Sequence, residues 1–131
     1  MSGTILGFDY GTKKIGIAVG QTITGTANPL TTLRCVKDKP DWDGIEKIIQ
    51  QWQPTDLVIG LPIDTDESET EISSKARRFS RQLEGRFRLP VHMADERYTS
   101  ASARSMAGKV KKIEELDALA AKLILETWLN E

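Results

Sequence analysis

The sequence predicts an α/β domain built on a mixed five-stranded sheet, its first three strands antiparallel, flanked by helices. Three observations predict it. The chain opens with two strand-like runs joined by a short turn. After Asp41 the apolar spacing changes to a helical period. From there on, short apolar runs alternate with helix patterns. Strands grouped first and then alternating with helices imply a sheet that begins antiparallel and continues parallel. At 131 residues the chain fits one domain spanning 1–131.

Each element has its own reason. Thr4 to Asp9 and Lys14 to Gly20 are apolar runs separated by Tyr10-Gly11-Thr12-Lys13, the pattern of an antiparallel hairpin. A weaker third strand is expected around Pro29 to Val36. Trp42, Ile45, Ile48, Ile49 and Trp52 recur at helical spacing, and Pro54 stops that helix. Asp56 to Gly60 reads as a buried parallel strand. A helix follows from about Glu69 to Gly85, with Ile72, Ala76, Phe79 and Leu83 on one face and Lys75, Arg77, Arg78 and Arg81 on the other. Leu89 to Ala94 is a further strand, ending in the polar corner Asp95-Glu96-Arg97. A short helix near Ser100–Ala107 and a longer one from Ile113 close the chain, the last with Leu116, Leu119, Ala120, Leu123, Ile124 and Leu129 on its apolar side. The order β-β-β-α-β-α-β-α-α matches ribonuclease-H-like domains.

Composition narrows the function classes. Hydrophobic residues make up 39% and charged residues 28%, a globular balance. No apolar run reaches the roughly 18 residues of a membrane span, and the N-terminus lacks a basic start and meets Asp9 too soon for a signal peptide. The lone cysteine, Cys35, cannot form an internal disulfide and suits a reducing cytosol, so a cytoplasmic protein without a membrane partner is expected. Cys35 and the lone histidine, His92, cannot build a Cys/His zinc site or thioredoxin-type redox chemistry. Residues 75–112 hold eleven Lys/Arg against three Asp/Glu, a local charge of +8 inside a chain of net charge −1. Such a stretch can bind a polyanion by counterion release, and Arg77, Arg78 and Arg81 are its expected contacts; the alternative is a solvated face that binds nothing.

Three carboxylates stand out. Asp9 ends an apolar strand beside Gly11 and Thr12, where a hard cation and a phosphate can approach; it could equally hydrogen-bond its own turn. Glu96 follows a strand terminus within a charged triplet whose plain reading is a salt-bridged loop. Asp117 sits among Ala118, Ala120 and Ala121, small residues that let the last helix press on the sheet, and it could instead simply complement the helix dipole. In a ribonuclease-H-like sheet these three places converge on one edge. Oxygen donors without His or Cys select Mg²⁺ or Mn²⁺, and one or two such ions can promote phosphodiester hydrolysis.

Two other matches fail. Gly20 to Thr26 has P-loop glycine spacing but no lysine. Asp9-Tyr10-Gly11-Thr12 is similar to the phosphate loop of two-domain sugar kinases, and this chain supplies one domain. His92 lies on a predicted strand and is expected to be structural, and Trp42, Trp52 and Trp128 fall at helical core positions.

Four motifs in order carry a family resemblance over nearly the whole chain: Phe8-Asp9-Tyr10-Gly11-Thr12-Lys13-Lys14-Ile15-Gly16-Ile17-Ala18, Val58-Ile59-Gly60-Leu61-Pro62, Asp95-Glu96-Arg97-Tyr98-Thr99-Ser100, and Asp117 with Ala120-Ala121. They resemble the YqgF (RuvX-like) family, which has a ribonuclease-H-like fold related to the Holliday-junction resolvase RuvC. The resemblance implies a cytoplasmic nuclease acting on the 5′ end of pre-16S rRNA, with Asp9, Glu96 and Asp117 as its metal-binding acidic positions; in the mechanism expected here Lys13 and Arg97 steady the phosphate. An older description of the family is Holliday-junction resolvase, which would cut four-way DNA as a two-fold dimer. A third reading is a non-catalytic RNA-binding ribosome-assembly factor. Nucleic acid is the expected partner, with pre-16S rRNA ahead of branched DNA, and the chain is expected to be a monomer or weak homodimer. Two segments depart from the family pattern: Ile63-Asp64-Thr65-Asp66-Glu67 lacks the usual glycine turn, and the stretch from Arg104 to Asp117 is short.

Overall fold

The structure, a computed structural model, describes residues 3–11, 13–37, 39–61, 71–95 and 113–130, with backbone alone at 61, 71–73, 95 and 113–117. Its elements in chain order are β1 (Thr4–Asp9), β2 (Lys14–Gln21), β3 (Thr26–Arg34), α1 (Trp42–Trp52), β4 (Asp56–Leu61), α2 (Glu71–Phe87), β5 (Val91–Asp95) and α3 (Ile113–Leu129). The strands form one sheet in the order β3-β2-β1-β4-β5. β1 pairs antiparallel with β2, β2 antiparallel with β3, and β1–β4 and β4–β5 are parallel. The expected short helix near 100–107 lies outside the described residues.

Several boundaries differ from the sequence expectation, each for a physical reason. The third strand starts at Thr26 and not at Pro29, because a register shift between Ile17 and Ala18 seats Pro29 beside a bulge on an edge strand. There a missing N–H costs no central ladder bond. The helix expected to stop at Gly85 runs on to Phe87. Arg88, at φ 55°, takes the left-handed C-terminal position and its N–H donates to the Glu84 carbonyl at 2.9 Å. β5 begins at Val91 and not Leu89, since Pro90 has no N–H, although its carbonyl still accepts from Leu57 N–H at 2.9 Å. α1 starts where Asp41 Oδ1 accepts from Gly44 N–H at 3.0 Å and stops where Gln53 turns left-handed before Pro54.

Alternation along the strands divides the core in two. Leu6, Phe8, Ile15, Ile17, Leu57 and Ile59 face one way and pack on Ile45 of α1 and on Ala76, Phe79 and Leu83 of α2. Ile5, Ala18, Ala27, Val58 and Ala94 face the other way, under Ala121, Ile124 and Leu125 of α3. The α3 face is made of small residues, and that permits close contact. A Cβ on Gly7 would lie 2.9 Å from Leu125 Cβ and 3.2 Å from the Ala121 carbonyl oxygen. The far end of α3 is tied to the β2–β3 turn: Asn130 Nδ2 donates to the Gly25 carbonyl at 2.9 Å, and Glu126 Oε2 accepts from Ala27 N–H at 3.3 Å. Among the described residues no helix is long and apolar enough to cross a membrane.

Candidate active site

Asp9 is the last residue of the central strand, half-buried, and takes part in an interaction with its surroundings. It shares a sheet face with Ile5 and Gly7, four and two residues back, so it belongs to the side covered by α3. Its cross-strand partners are Gly16 on β2 and Gly60 on β4, and Gly60 in turn pairs with Ala94 on β5. Both residues directly opposite Asp9 in the sheet are therefore glycines, with no Cβ beside its carboxylate. One position beyond that row, Leu61 pairs with Asp95, the last residue of β5, so β5 ends on the side of the sheet where Asp9 sits.

The direction of α3 determines where Asp117 falls. Residues 125 and 129 stand over Gly20, which pairs with Ile5, whereas 121 and 125 stand over Gly7. The helix thus runs antiparallel to β1. Asp117 is one turn before Ala121, about 6 Å along the axis. Asp9 is two residues past Gly7, about 6.6 Å in the same direction. The backbone brings the Asp9 and Asp117 positions to the same end of the sheet, the end at which β5 finishes with Asp95. Glu96 and Arg97 lie outside the described residues, and for Asp117 only the helix position is described.

A divalent cation fits the chemistry of this corner. Its described donor is a carboxylate, its neighbours are glycines, and the nearest nitrogen or sulfur candidates are engaged elsewhere. His92 Nε2 bonds Asp56 Oδ2 at 2.8 Å with its ring against Trp128, 4.8 Å between centroids. Cys35 Sγ sits on the other face of the sheet, 3.8 Å from the Gly11 carbonyl. Among the described side chains no three Asp, Glu, His or Cys gather into one cluster.

The basic candidates take up two regions. Lys13 is exposed in the β1–β2 turn, and Arg77, Arg78 and Arg81 are exposed on α2 opposite buried Ala76, Phe79 and Leu83, as the helical spacing requires. Sequence reasoning missed a cavity of about 550 Å³ between α2 and the 37–42 segment, with Lys37, Lys39, Lys75, Arg78 and Arg86 among its lining. Lys37 and Lys39 belong to the acidic first half of the chain, so a charge count along the sequence does not pick them out.

The strand order, the antiparallel-then-parallel pairing and a carboxylate closing the central strand define a ribonuclease-H-like protein. Solved structures share the fold: T. thermophilus RuvC in complex with a Holliday junction substrate (TM-score 0.58, 13% identity, covering 97% of this chain and 96% of that one) and the fowlpox virus Holliday junction resolvase (TM-score 0.60, 11% identity, covering 97% of each). The family model described as "RuvX: Holliday junction resolvase" matches residues 3–131, and the chain belongs to the RuvX family. Relatives bearing the name "Putative pre-16S rRNA nuclease" include those of Aeromonas salmonicida (46% identical, 99% of this chain and 96% of the relative), Legionella pneumophila (46%, 98% and 96%) and Azotobacter vinelandii (47%, 97% and 93%).

Proposed function

We propose that this chain is a metal-dependent nuclease that hydrolyses phosphodiester bonds of structured RNA, with pre-16S rRNA as substrate. The observation that carries the reading is the position of Asp9. It closes the central strand on the α3 face, flanked by Gly16 and Gly60, at the end of the sheet from which α3 starts. The names of the family's members supply the substrate class.

In this reading Asp9, Glu96 and Asp117 hold one or two Mg²⁺ or Mn²⁺ ions. A bound ion would supply a Lewis acid for the phosphoryl oxygens and a more acidic water. The residues themselves then account for the rest. Asp9 sits on a rigid strand that is hydrogen-bonded on both sides, so its carboxylate is positioned before substrate arrives. Gly16 and Gly60 leave room for a phosphate next to it. Lys13, exposed at the end of the β1–β2 turn, and Arg97 neutralise the phosphate as water adds to phosphorus and the ester bond breaks.

The test is cleavage of precursor 16S rRNA by the wild-type protein and by Asp9→Asn, with Mn²⁺, with Mg²⁺ and with chelator. Metal-dependent cleavage that disappears in Asp9→Asn is expected; cleavage that survives the substitution overturns the assignment. The family description favours a second reading, resolution of four-way DNA junctions. That activity needs two symmetric sites. Sedimentation of a two-fold complex on junction DNA, with junctions cut in preference to precursor rRNA, would support it instead.

A further inference from the structure

The basic side chains of α2 do not form one face. Lys75, Arg78, Gln82 and Arg86 follow each other at i, i+3, i+7 and i+11, a single stripe, and all four line the cavity. Arg77 and Arg81 make a separate exposed stripe outside it. Opposite the first stripe stands a wall from a distant part of the sequence, Lys37, Lys39 and Trp42. It is formed by a tight turn in which Val36 bridges Lys39 and Lys37 adopts φ 52°. Five cations thus line a concavity of about 550 Å³, and no carboxylate is among its described lining residues.

Two further features make this a built groove. Arg86 lies over the Trp42 ring at 4.3 Å while remaining exposed, so its guanidinium is held at the wall before any ligand arrives. Trp42 is in turn stacked on Phe79 at 5.4 Å and 28°, and Tyr10 packs on Phe79 at 5.0 Å. Tyr10 lines the groove and follows Asp9 directly in the chain. The groove therefore begins at the same strand end as the acidic corner, on the opposite face of the sheet.

We infer that this groove holds the sugar–phosphate backbone of a single-stranded RNA segment that continues from the cleavage site. The inference rests on the nuclease reading for its substrate and extends it with a binding tract. Charge complementarity points to a polyanion, and walls facing each other across so small a volume admit one strand and exclude a duplex. Bound this way, an unpaired end or loop next to the scissile bond would be gripped, and a continuous duplex would not.

The experiment measures binding of a short unstructured RNA, labelled with fluorescein, by anisotropy in chelator across a salt series, with a duplex RNA of the same length as control. Working without divalent ions separates this outcome from the fate of the cleavage reading, which Asp9→Asn decides. Asn tolerates the left-handed turn at position 37, so the first variant is Lys37→Asn with Lys39→Ala, and the second is Lys75→Ala with Arg86→Ala. Each pair should weaken single-strand binding about tenfold and lower the salt slope by about 1.4. Arg77→Ala with Arg81→Ala, the stripe that helical spacing alone marks as a polyanion contact but that lies outside the groove, should do much less, and melting temperatures confirm that the folds match. Unchanged single-strand binding in the Lys37/Lys39 pair overturns the groove, as does a loss carried by Arg77 and Arg81 or an equal loss on duplex RNA.

Discussion

Two glycines on the same sheet face, under the same helix, should respond unequally to the same substitution. A Cβ at Gly7 would meet Leu125 Cβ at 2.9 Å and the Ala121 carbonyl oxygen at 3.2 Å. Both atoms belong to the rigid body of α3, one backbone and one the first side-chain carbon, so relief requires the helix itself to move. A Cβ at Gly20 would meet Leu125 Cδ2 at 2.9 Å and Leu129 Cδ1 at 3.0 Å, terminal methyls that a rotamer change can withdraw. Overpacking that the backbone must absorb costs about 1–3 kcal/mol, and losing glycine's unfolded-state freedom returns about 0.4–1 kcal/mol. Gly7→Ala should therefore lose about 1–2 kcal/mol, and Gly20→Ala should stay within about 0.5 kcal/mol of the parent protein. Urea unfolding, with midpoints compared at unchanged m, reads both directly. Because α3 carries Asp117, Gly7→Ala should also reduce cleavage by more than its folded fraction explains. Equal stability losses at the two positions, or a larger loss at Gly20, would refute the claim that the rigidity of the facing atom decides the cost.

Other tests address separate parts of the molecule. Asp9→Asn should remove metal-induced thermal stabilisation; without metal its melting temperature should be unchanged or higher, because in the proposed acidic site one of three like charges is gone. Lower metal-free stability with cleavage retained would make Asp9 structural. Asp41→Ala removes the N-cap acceptor of Gly44 N–H and should cost about 1 kcal/mol in urea unfolding. His92→Phe keeps a ring against Trp128 but loses the bond to Asp56 Oδ2, and since both partners are partly exposed the loss should be about 0.5–1 kcal/mol.

Local pattern alone made most of the fold legible. β1 and the β1–β2 hairpin, the helical stretch closed by Pro54, the β4 strand and the start of α3 at Ile113 each depend on apolar period and turn chemistry within about a dozen residues, so the sequence contains their causes. The elements whose bounds moved depend on a neighbour. Pro29 fits inside β3 only because β3 lies at the sheet edge and is bulged against β2, and Gly85 stays helical because Arg88 takes the left-handed position. The candidate site divides in the same way. A carboxylate at a strand end beside glycine marks Asp9 in the sequence, and helical spacing alone puts Arg77, Arg78 and Arg81 on an exposed face. That Asp9 shares its face with α3, and that α3 begins at its end of the sheet, follows only from strand parity and the contacts of Gly7 and Gly20. Likewise Lys37 and Lys39 join Lys75 and Arg86 only once chain folding brings together residues separated by more than thirty positions. Periodicity records which way a residue faces within its own element; which element it then meets is decided by the packing of whole faces, and no local stretch of sequence contains that.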